Sequence, residues 1–147
     1  MFELTSPDFQ KNANIPKKFT CQGENIAPTL EIHNPPAEAK SFALIMDDPD
    51  APKGSWLHWM AWNIPPTTKT LDANNFPAEA TQGINDFKEF GYGGPCPPDS
   101  RHQYRFFLFA LDKKNYLDKN ASRAELEVAM AGHIIASCEL NGYYERS

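Results

Sequence analysis

Apolar runs and alternating patterns predict a chain built mainly of β-strands. The segment SFALIM, Ser41 to Met46, is a short continuous apolar run, typical of a buried strand. The segment RFFLFAL, Arg105 to Leu111, is apolar on both faces, as a central strand of a covered sheet would be. Between them, the side chains of Leu57 to Ile64 follow an alternating pattern with a period of two residues. This period predicts a third strand that places four side chains on one face: His58, Met60, Trp62 and Ile64.

One segment has the pattern of an α-helix. Ser122 and Glu125 have the spacing of a capping box, and apolar residues follow at helical intervals. We expect a helix from about residue 122 to 138 and a short final strand from Cys138 to Tyr144. The fold class is therefore mainly β: a sandwich or a large sheet with one or two peripheral helices, in a single domain spanning residues 1 to 147.

Composition favours a stably folded domain with stiff loops. The chain has 147 residues, of which 41% are hydrophobic and 22% charged. Its 13 prolines include three adjacent pairs, which predict ordered loops. Residues 65 to 100 form a long irregular stretch, and such stretches are more often functional than filler. The net charge of −5 and the lack of a basic stripe argue against nucleic-acid binding.

The three cysteines are widely spaced and lack a C-x-x-C pair. This spacing argues against a disulfide framework and against a cysteine-rich zinc site. The N-terminal sequence does not resemble a signal peptide, and no apolar run is long enough for a transmembrane segment. We therefore expect a soluble, cytoplasmic protein.

An acidic cluster, DDPDAP, directly follows the first apolar run. Prolines at positions 49 and 52 restrict the residues that precede them to extended backbone conformations, so the loop is held in one shape. One interpretation is a rigid, solvated turn. The other is that Asp48 or Asp50 points inward to His58.

Two histidines begin strands next to proline-rich loops. His58 and His102 could each be ordinary core residues when considered singly. Tyr104 lies two positions after His102 and therefore shares its face of the strand. Two histidines, a tyrosine and a carboxylate that converge would form a small polar pocket.

The segment GYGGPCPPDSRHQY, residues 91 to 104, separates these histidines along the irregular stretch. Its glycines allow the backbone to approach a ligand closely, and successive N–H groups can form an anion nest. A plain tight turn is the alternative. Cys96 lies between prolines and is interpreted as a small buried hydrophobe rather than a nucleophile.

Two kinds of catalytic site are alternatives to plain binding. A metal site would use His58, His102 and Asp48, although no metal-ligand spacing supports it. A serine hydrolase would use Ser55 or Ser100, although the chain has no G-x-S-x-G elbow.

The motifs together resemble the phosphatidylethanolamine-binding protein family, which includes Raf kinase inhibitor protein, in its bacterial and archaeal branch. The similar stretches are IPKKFTCQGENIAPTL, DDPDAP with WLHWMAWNIP, and GINDF followed by GYGGPCPP and HQY. The resemblance implies a large central antiparallel sheet packed on a smaller one, with a C-terminal helix. It also implies a ligand pocket formed by Asp48, His58, Gly94, His102 and Tyr104. Asp50, Trp56 and Pro95 would lie at the rim of this pocket.

This chain departs from the family pattern near the pocket. Relatives often have a glycine where this chain has Asp99-Ser100-Arg101, an arginine in place of Gln103, and an aspartate in place of Gln22. We expect Arg101 to replace part of the missing positive charge.

The resemblance predicts reversible, non-catalytic binding of small anions or phosphorylated head groups, with no cofactor and no metal. Inhibition of a kinase or protease through a protein contact is an alternative that rests on family analogy alone. A hydrolase that uses the same pocket is a second alternative. Homodimer formation stays open.

Overall fold

In a computed structural model of the protein, which describes all 147 residues, the chain forms two antiparallel β-sheets and one α-helix. The helix, α1, spans Arg123–Met130. The strands in chain order are β1 (Glu3–Thr5), β2 (Leu30–His33), β3 (Ser41–Asp48), β4 (Trp56–Ile64), β5 (Thr70–Leu71), β6 (Thr81–Gln82), β7 (His102–Leu111) and β8 (Ile134–Tyr144).

The two sheets enclose the main hydrophobic core. The larger sheet has the strand order β6-β4-β3-β7-β8, and the smaller has the order β1-β2-β5. Leu30 and Leu71 of the smaller sheet belong to the same buried cluster as Phe42 and Phe106 of the larger one. The expected architecture, a large antiparallel sheet packed on a smaller sheet, is therefore confirmed.

The second face of the large sheet is covered in part by α1. Leu126 and Met130 of the helix pack in one cluster with Ala43 and Ile45 of β3. Since both faces of β3 are covered, all eight of its residues are buried, which explains its unbroken apolar run. Strand β7, next to β3, alternates instead between buried and half-buried residues.

The helix is shorter than the sequence pattern predicted. The capping box of Ser122 and Glu125 is present, but α1 ends at Met130, not near residue 138. Gly132 then adopts a φ of 80°, which turns the chain back, and β8 begins at Ile134 rather than at Cys138. The helical spacing of apolar residues after Met130 was misleading, because β8 pairs with β7 along almost its whole length.

Two β-bulges change the face on which residues of β4 lie. Trp59 pairs with Met46, whereas Leu57 pairs with Asp47, so His58 is an additional residue in the strand. A second irregularity lies between the pairs of Ala61 and Ile64.

The prediction of a single face for four side chains of β4 was therefore wrong. Met60 and Trp62 pack in the cluster beneath α1, whereas Ile64 packs in the core between the sheets. The ring of His58 contacts Tyr104, whose side chain is also part of that inter-sheet core. The bulges explain the error, because an added residue shifts all later side chains to the other face.

A buried ion-pair network joins α1 to the large sheet. Asp47 is fully buried, and its carboxylate accepts two hydrogen bonds from Arg105, each 2.8 Å long. Arg123, the first residue of α1, donates a third hydrogen bond of 2.8 Å to the same carboxylate. The contact with Asp47 raises the pKa of the Arg105 guanidinium. The network therefore holds the end of β3 against β7 and the helix.

Replacing Asp47 with asparagine should lower the free energy of unfolding by about 3 kcal/mol, because it removes the charge partner of two arginines. The measurement is denaturant unfolding followed by circular dichroism. Asp112→Asn is the matched control: it breaks a surface pair with His133, 2.8 Å long, and should cost less than about 1 kcal/mol. Equal losses in the two variants would contradict the assigned role.

Candidate functional site

A cavity of about 220 Å³ lies where the end of β3 meets the start of β4 and of β7. These strand ends meet because β3 pairs antiparallel with both neighbours. The cavity is lined by polar groups from the three strands and by apolar residues from the loops: Asp48, Ala51, Pro52, Trp56, His58, Phe87, Cys96, Pro98 and His102.

His102 is hydrogen-bonded to a carboxylate on each side. Its Nδ1–H donates to Asp48 Oδ2 over 2.6 Å, and its Nε2–H donates to Asp99 Oδ1 over 3.1 Å. Both ring nitrogens therefore carry a proton, and the ring is an imidazolium. His102 is only 3% exposed, and burial alone would lower its pKa. The two carboxylates outweigh burial and raise the pKa of His102 above its ordinary value.

His58 has a different hydrogen-bond partner, and its pKa is shifted in the opposite direction. Its Nδ1–H donates to the carbonyl oxygen of Gly93 over 2.6 Å, which leaves Nε2 without a partner in the protein. Burial lowers the pKa of His58, and the Gly93 bond and nearby aspartates only partly offset this. At neutral pH the ring is therefore neutral, and Nε2 presents a hydrogen-bond acceptor. Asp48 points inward and lines the cavity together with His58, but its side chain is hydrogen-bonded to His102 rather than to His58.

Tyr104 lies beneath the two histidines. Its ring centroid is 5.2 Å from that of His58 and 6.5 Å from that of His102. The shared face of His102 and Tyr104 is thus confirmed. The Tyr104 hydroxyl is buried and makes no hydrogen bond of good geometry, although Asp48 and the backbone of Cys96 lie close to it. Tyr104 does not itself line the cavity. Burial, together with the charge of Asp48, raises the pKa of this phenol, so it stays protonated and can donate.

The acidic loop is held in one conformation by its own hydrogen bonds. Asp48 Oδ1 accepts from the N–H of Asp50 over 2.8 Å, and Asp50 Oδ2 accepts from the N–H of Gln103 over 2.9 Å. Asp50 therefore ties the loop to β7 and takes no part in the cavity lining.

The glycine-rich segment forms no anion nest. The N–H of Gly91 donates to Gly83, that of Gly93 to His58, and that of Gly94 to the side chain of Asn25. All three donors that the sequence offered to a ligand are thus used within the protein.

Gly94 is needed for close packing instead. A Cβ at this position would lie 2.3 Å from the carbonyl oxygen of Phe19. The Pro95 carbonyl accepts from the N–H of Cys21 over 3.1 Å. Gly94 and Pro95 therefore support the cavity wall from behind, and neither lines the cavity.

Cys21 and Cys96 form a disulfide, with their Cα atoms 5.4 Å apart. The argument from spacing against disulfides was therefore wrong, and so was the interpretation of Cys96 as a free buried residue. The two cysteines are 75 positions apart in sequence, and only the packing of the glycine-rich segment on the residues around Phe19 brings them together. Cys138 is the free cysteine, and burial raises its pKa to about 12.

The rim is aromatic on one side. Trp56 is 37% exposed and packs edge-on against Phe87, with ring centroids 5.4 Å apart. Phe87 also contacts the ring of His58 at 5.3 Å. Trp56 was expected at the rim. Phe87 was missed as a site residue, and its only sequence signal was its place in the GINDF motif.

Other candidate residues do not converge on the cavity. The guanidinium of Arg101 stacks on Tyr143 at 4.1 Å and donates to Asn14, so it does not supply the expected positive charge to the pocket. Ser100 donates to Asp99, and Ser55 lines a different cavity. Asp48, His58 and His102 do not form a metal-ligand group, because both nitrogens of His102 are bonded to carboxylates.

The fold and the site define a β-sandwich protein with a small cavity at the end of its larger sheet, in which a few polar groups stand among apolar residues. The family model of the phosphatidylethanolamine-binding protein matches residues 5–145. A UPF0098 protein from Methanothermobacter thermautotrophicus is 46% identical over 148 residues, which cover 97% of this chain and 98% of the relative. A UPF0098 protein from Chlamydia muridarum is 44% identical, with 98% and 99% covered.

Two solved structures are similar throughout. A putative phosphatidylethanolamine-binding protein homologue from Chlamydia trachomatis superposes with a TM-score of 0.94 at 41% identity, over 99% of this chain and 98% of that one. YbcL of E. coli, described as a new member of the mammalian family, superposes with a TM-score of 0.92 at 34% identity, over 99% of both chains. This chain belongs to the phosphatidylethanolamine-binding protein family, and that membership supports a binding-type function. No helix of the structure has the length and apolar character needed to cross a membrane.

Loss of the disulfide should lower the free energy of unfolding by about 2 to 4 kcal/mol, because the bond closes a long loop in the unfolded chain. The measurement is denaturant unfolding with and without a dithiol reductant. The double variant Cys21→Ser/Cys96→Ser should unfold like the reduced wild type and should not respond to the reductant. An oxidised wild type no more stable than this variant would contradict the prediction.

The pKa values of the two histidines should be shifted in opposite directions from the ordinary value of histidine: raised for His102 and lowered for His58. Nitrogen NMR should find His102 protonated on both ring nitrogens at pH 6, and His58 neutral at pH 7 with its proton on Nδ1. Asp48→Asn should lower the pKa of His102, since the variant removes the charge that holds the proton. In the wild type, the ion pair of His102 stabilises the fold below about pH 6.5, and this contribution is lost as pH rises through the raised pKa. A His102 that titrates below 6.5 would refute the assignment.

Proposed function

We propose that the cavity reversibly binds a small molecule through a phosphoryl or comparable anionic group, without covalent chemistry. The observation that carries the proposal is that two histidines of different character line one cavity: His102, which two carboxylates keep protonated, and His58, whose Nε2 has no partner in the protein. A positive charge and a free acceptor beside one cavity suit an anionic group that carries a proton.

The carboxylate of Asp48 is compatible with an anionic ligand in this arrangement. One of its oxygens accepts from His102 and the other from the backbone of Asp50. Its charge is therefore directed at the imidazolium, which it keeps protonated. The role of Asp48 is to maintain the positive charge on His102 rather than to contact the anion.

His58 makes the binding of a phosphoryl group depend on its protonation. Its free Nε2 accepts a hydrogen bond while the ring is neutral, so a fully deprotonated phosphoryl group offers it nothing to accept. A phosphoryl group that carries one proton can donate to Nε2. Alternatively, His58 takes up a proton when the anion enters. In both cases, binding of a dianionic phosphomonoester is coupled to the uptake of one proton.

The reactive side chains near the cavity favour binding over covalent chemistry. The sulfur of Cys96 is held in the disulfide, and the hydroxyl of Ser100 donates to Asp99. The raised pKa of Tyr104 keeps its oxygen protonated and weakly nucleophilic. The base that the Ser100 hydroxyl contacts, Asp99, is a weak one because its pKa is lowered, so this contact activates the hydroxyl little.

Titration calorimetry with methyl phosphate should show reversible binding that weakens as pH rises from 6 to 8. Phosphomonoesters lose their second proton near pH 6, so the uptake of one proton predicts about a tenfold loss of affinity per pH unit above that value. His58→Ala should weaken binding about tenfold or more at pH 6, because it removes the acceptor for that proton.

His133→Ala is the matched control, since it removes a histidine whose Nδ1 is also hydrogen-bonded, in this case to Asp112, at the surface and at the far end of β7. Its affinity should equal that of the wild type. An unchanged affinity in His58→Ala would place the ligand elsewhere and overturn the proposal.

A further inference from the structure

His102 has two N–H donors: one donates to Asp48 and the other to Asp99. The Nε2–H of His102 donates to Asp99 Oδ1 over 3.1 Å. The same oxygen also accepts from the N–H of Ser100 over 2.7 Å and from its hydroxyl over 3.3 Å. A carboxylate of the protein itself thus lies where an anionic ligand would meet the imidazolium.

The two carboxylates on His102 differ greatly in how firmly they are held. The side chain of Asp48 is 5% exposed and lies at the end of a fully buried strand. That of Asp99 is 65% exposed, and its remaining hydrogen bonds come only from the next residue in its own turn. Exposed ion pairs contribute little to stability, so Asp99 can be displaced at small cost, whereas Asp48 cannot.

Asp99 forms its only ion pair with His102. Arg101, two positions away, is directed to Tyr143 and Asn14. The negative charge of Asp99 would therefore stay at the rim of the cavity while a ligand is bound. Its repulsion acts in proportion to the charge of the ligand.

We infer that Asp99 is a specificity-determining residue: it competes with the ligand for His102 and biases the pocket towards anions of low charge. This inference rests on the proposed function. Asp99 lowers the affinity for every anion because it must first be displaced. It then disfavours dianions more than monoanions, since its charge remains beside the bound ligand.

The test compares sulfate with acetate as probes, by calorimetry at pH 6 and constant ionic strength, in the wild type, Asp99→Asn and Asp99→Ala. Sulfate is a dianion and acetate a monoanion, so the gain on removing one charge should be larger for sulfate. We expect about tenfold tighter binding of sulfate and about threefold tighter binding of acetate in both variants.

The matched control is Asp112→Asn, which removes the same charge from a carboxylate bonded to a histidine, His133. Asp112 follows the C-terminal end of β7, whereas His102 begins that strand, so the two sites lie at opposite ends. This variant should leave both affinities at the wild-type values. A gain equal to that of Asp99→Asn would mean that net charge alone is responsible, and it would overturn the inference.

NMR titration distinguishes competition by Asp99 for His102 from a purely structural role of Asp99. His102 should stay protonated at pH 6 in Asp99→Asn, because the bond to Asp48 persists; NMR titration of the ring nitrogens measures this. In the wild type, adding sulfate should raise the pKa of Asp99 towards its ordinary value, since the contact with His102 that lowers it is broken.

The outcomes distinguish this inference from the function on which it rests. If the wild type binds the probes and the Asp99 variants bind no tighter, the inference fails and the anion pocket stands. Equal gains for sulfate and acetate would refute the charge preference. If no variant binds the probes although the wild type binds methyl phosphate, the inference about Asp99 fails and the proposed function stands. If methyl phosphate does not bind either, the proposed function fails and the role of Asp99 fails with it.

Discussion

The buried hydrogen bond between Asp48 and His102 is the interaction on which the pocket depends. It joins the end of β3 to the start of β7 and keeps an imidazole charged where burial alone would discharge it. Asp47, the preceding residue, faces the other side of the sheet and binds Arg105 and Arg123. Two consecutive carboxylates thus hold both faces of one strand end, one for the cavity and one for the helix.

The remaining geometry of the site follows from local irregularity in otherwise regular strands. The bulge at His58 turns this side chain away from Met60 and towards Tyr104. The carbonyl of Gly93 then selects the tautomer that leaves Nε2 open to the cavity. Gly93 belongs to the glycine-rich segment, and the Cys21–Cys96 disulfide ties this segment to the N-terminal part of the chain. A neutral acceptor and a histidine whose protonated form is favoured therefore lie side by side, because the two rings have different partners.

Much of the fold was predictable from local pattern. The apolar run of β3 reflects burial on both faces, and the capping box marked the start of α1. His102, Tyr104 and Asp48 could be nominated because each lies at a predicted strand end, although the family resemblance was needed to group them. Patterns failed at positions with a tertiary cause: the end of α1, where Gly132 reverses the chain, and the face of His58, where a bulge adds a residue.

Sequence by itself determined the three long strands β3, β4 and β7, because burial on one or both faces leaves a pattern in the order of residues. The short strands β1, β2, β5 and β6 and the first part of β8 left no such signal. It also determined which chemical groups lie at the strand ends. Only the tertiary structure decided the partner of each group: Asp48 for His102, Gly93 for His58 and Cys21 for Cys96. These pairs join positions far apart in the chain. A hydrogen bond or a disulfide depends on distance and direction in space, and neither is encoded in the spacing of residues along the sequence.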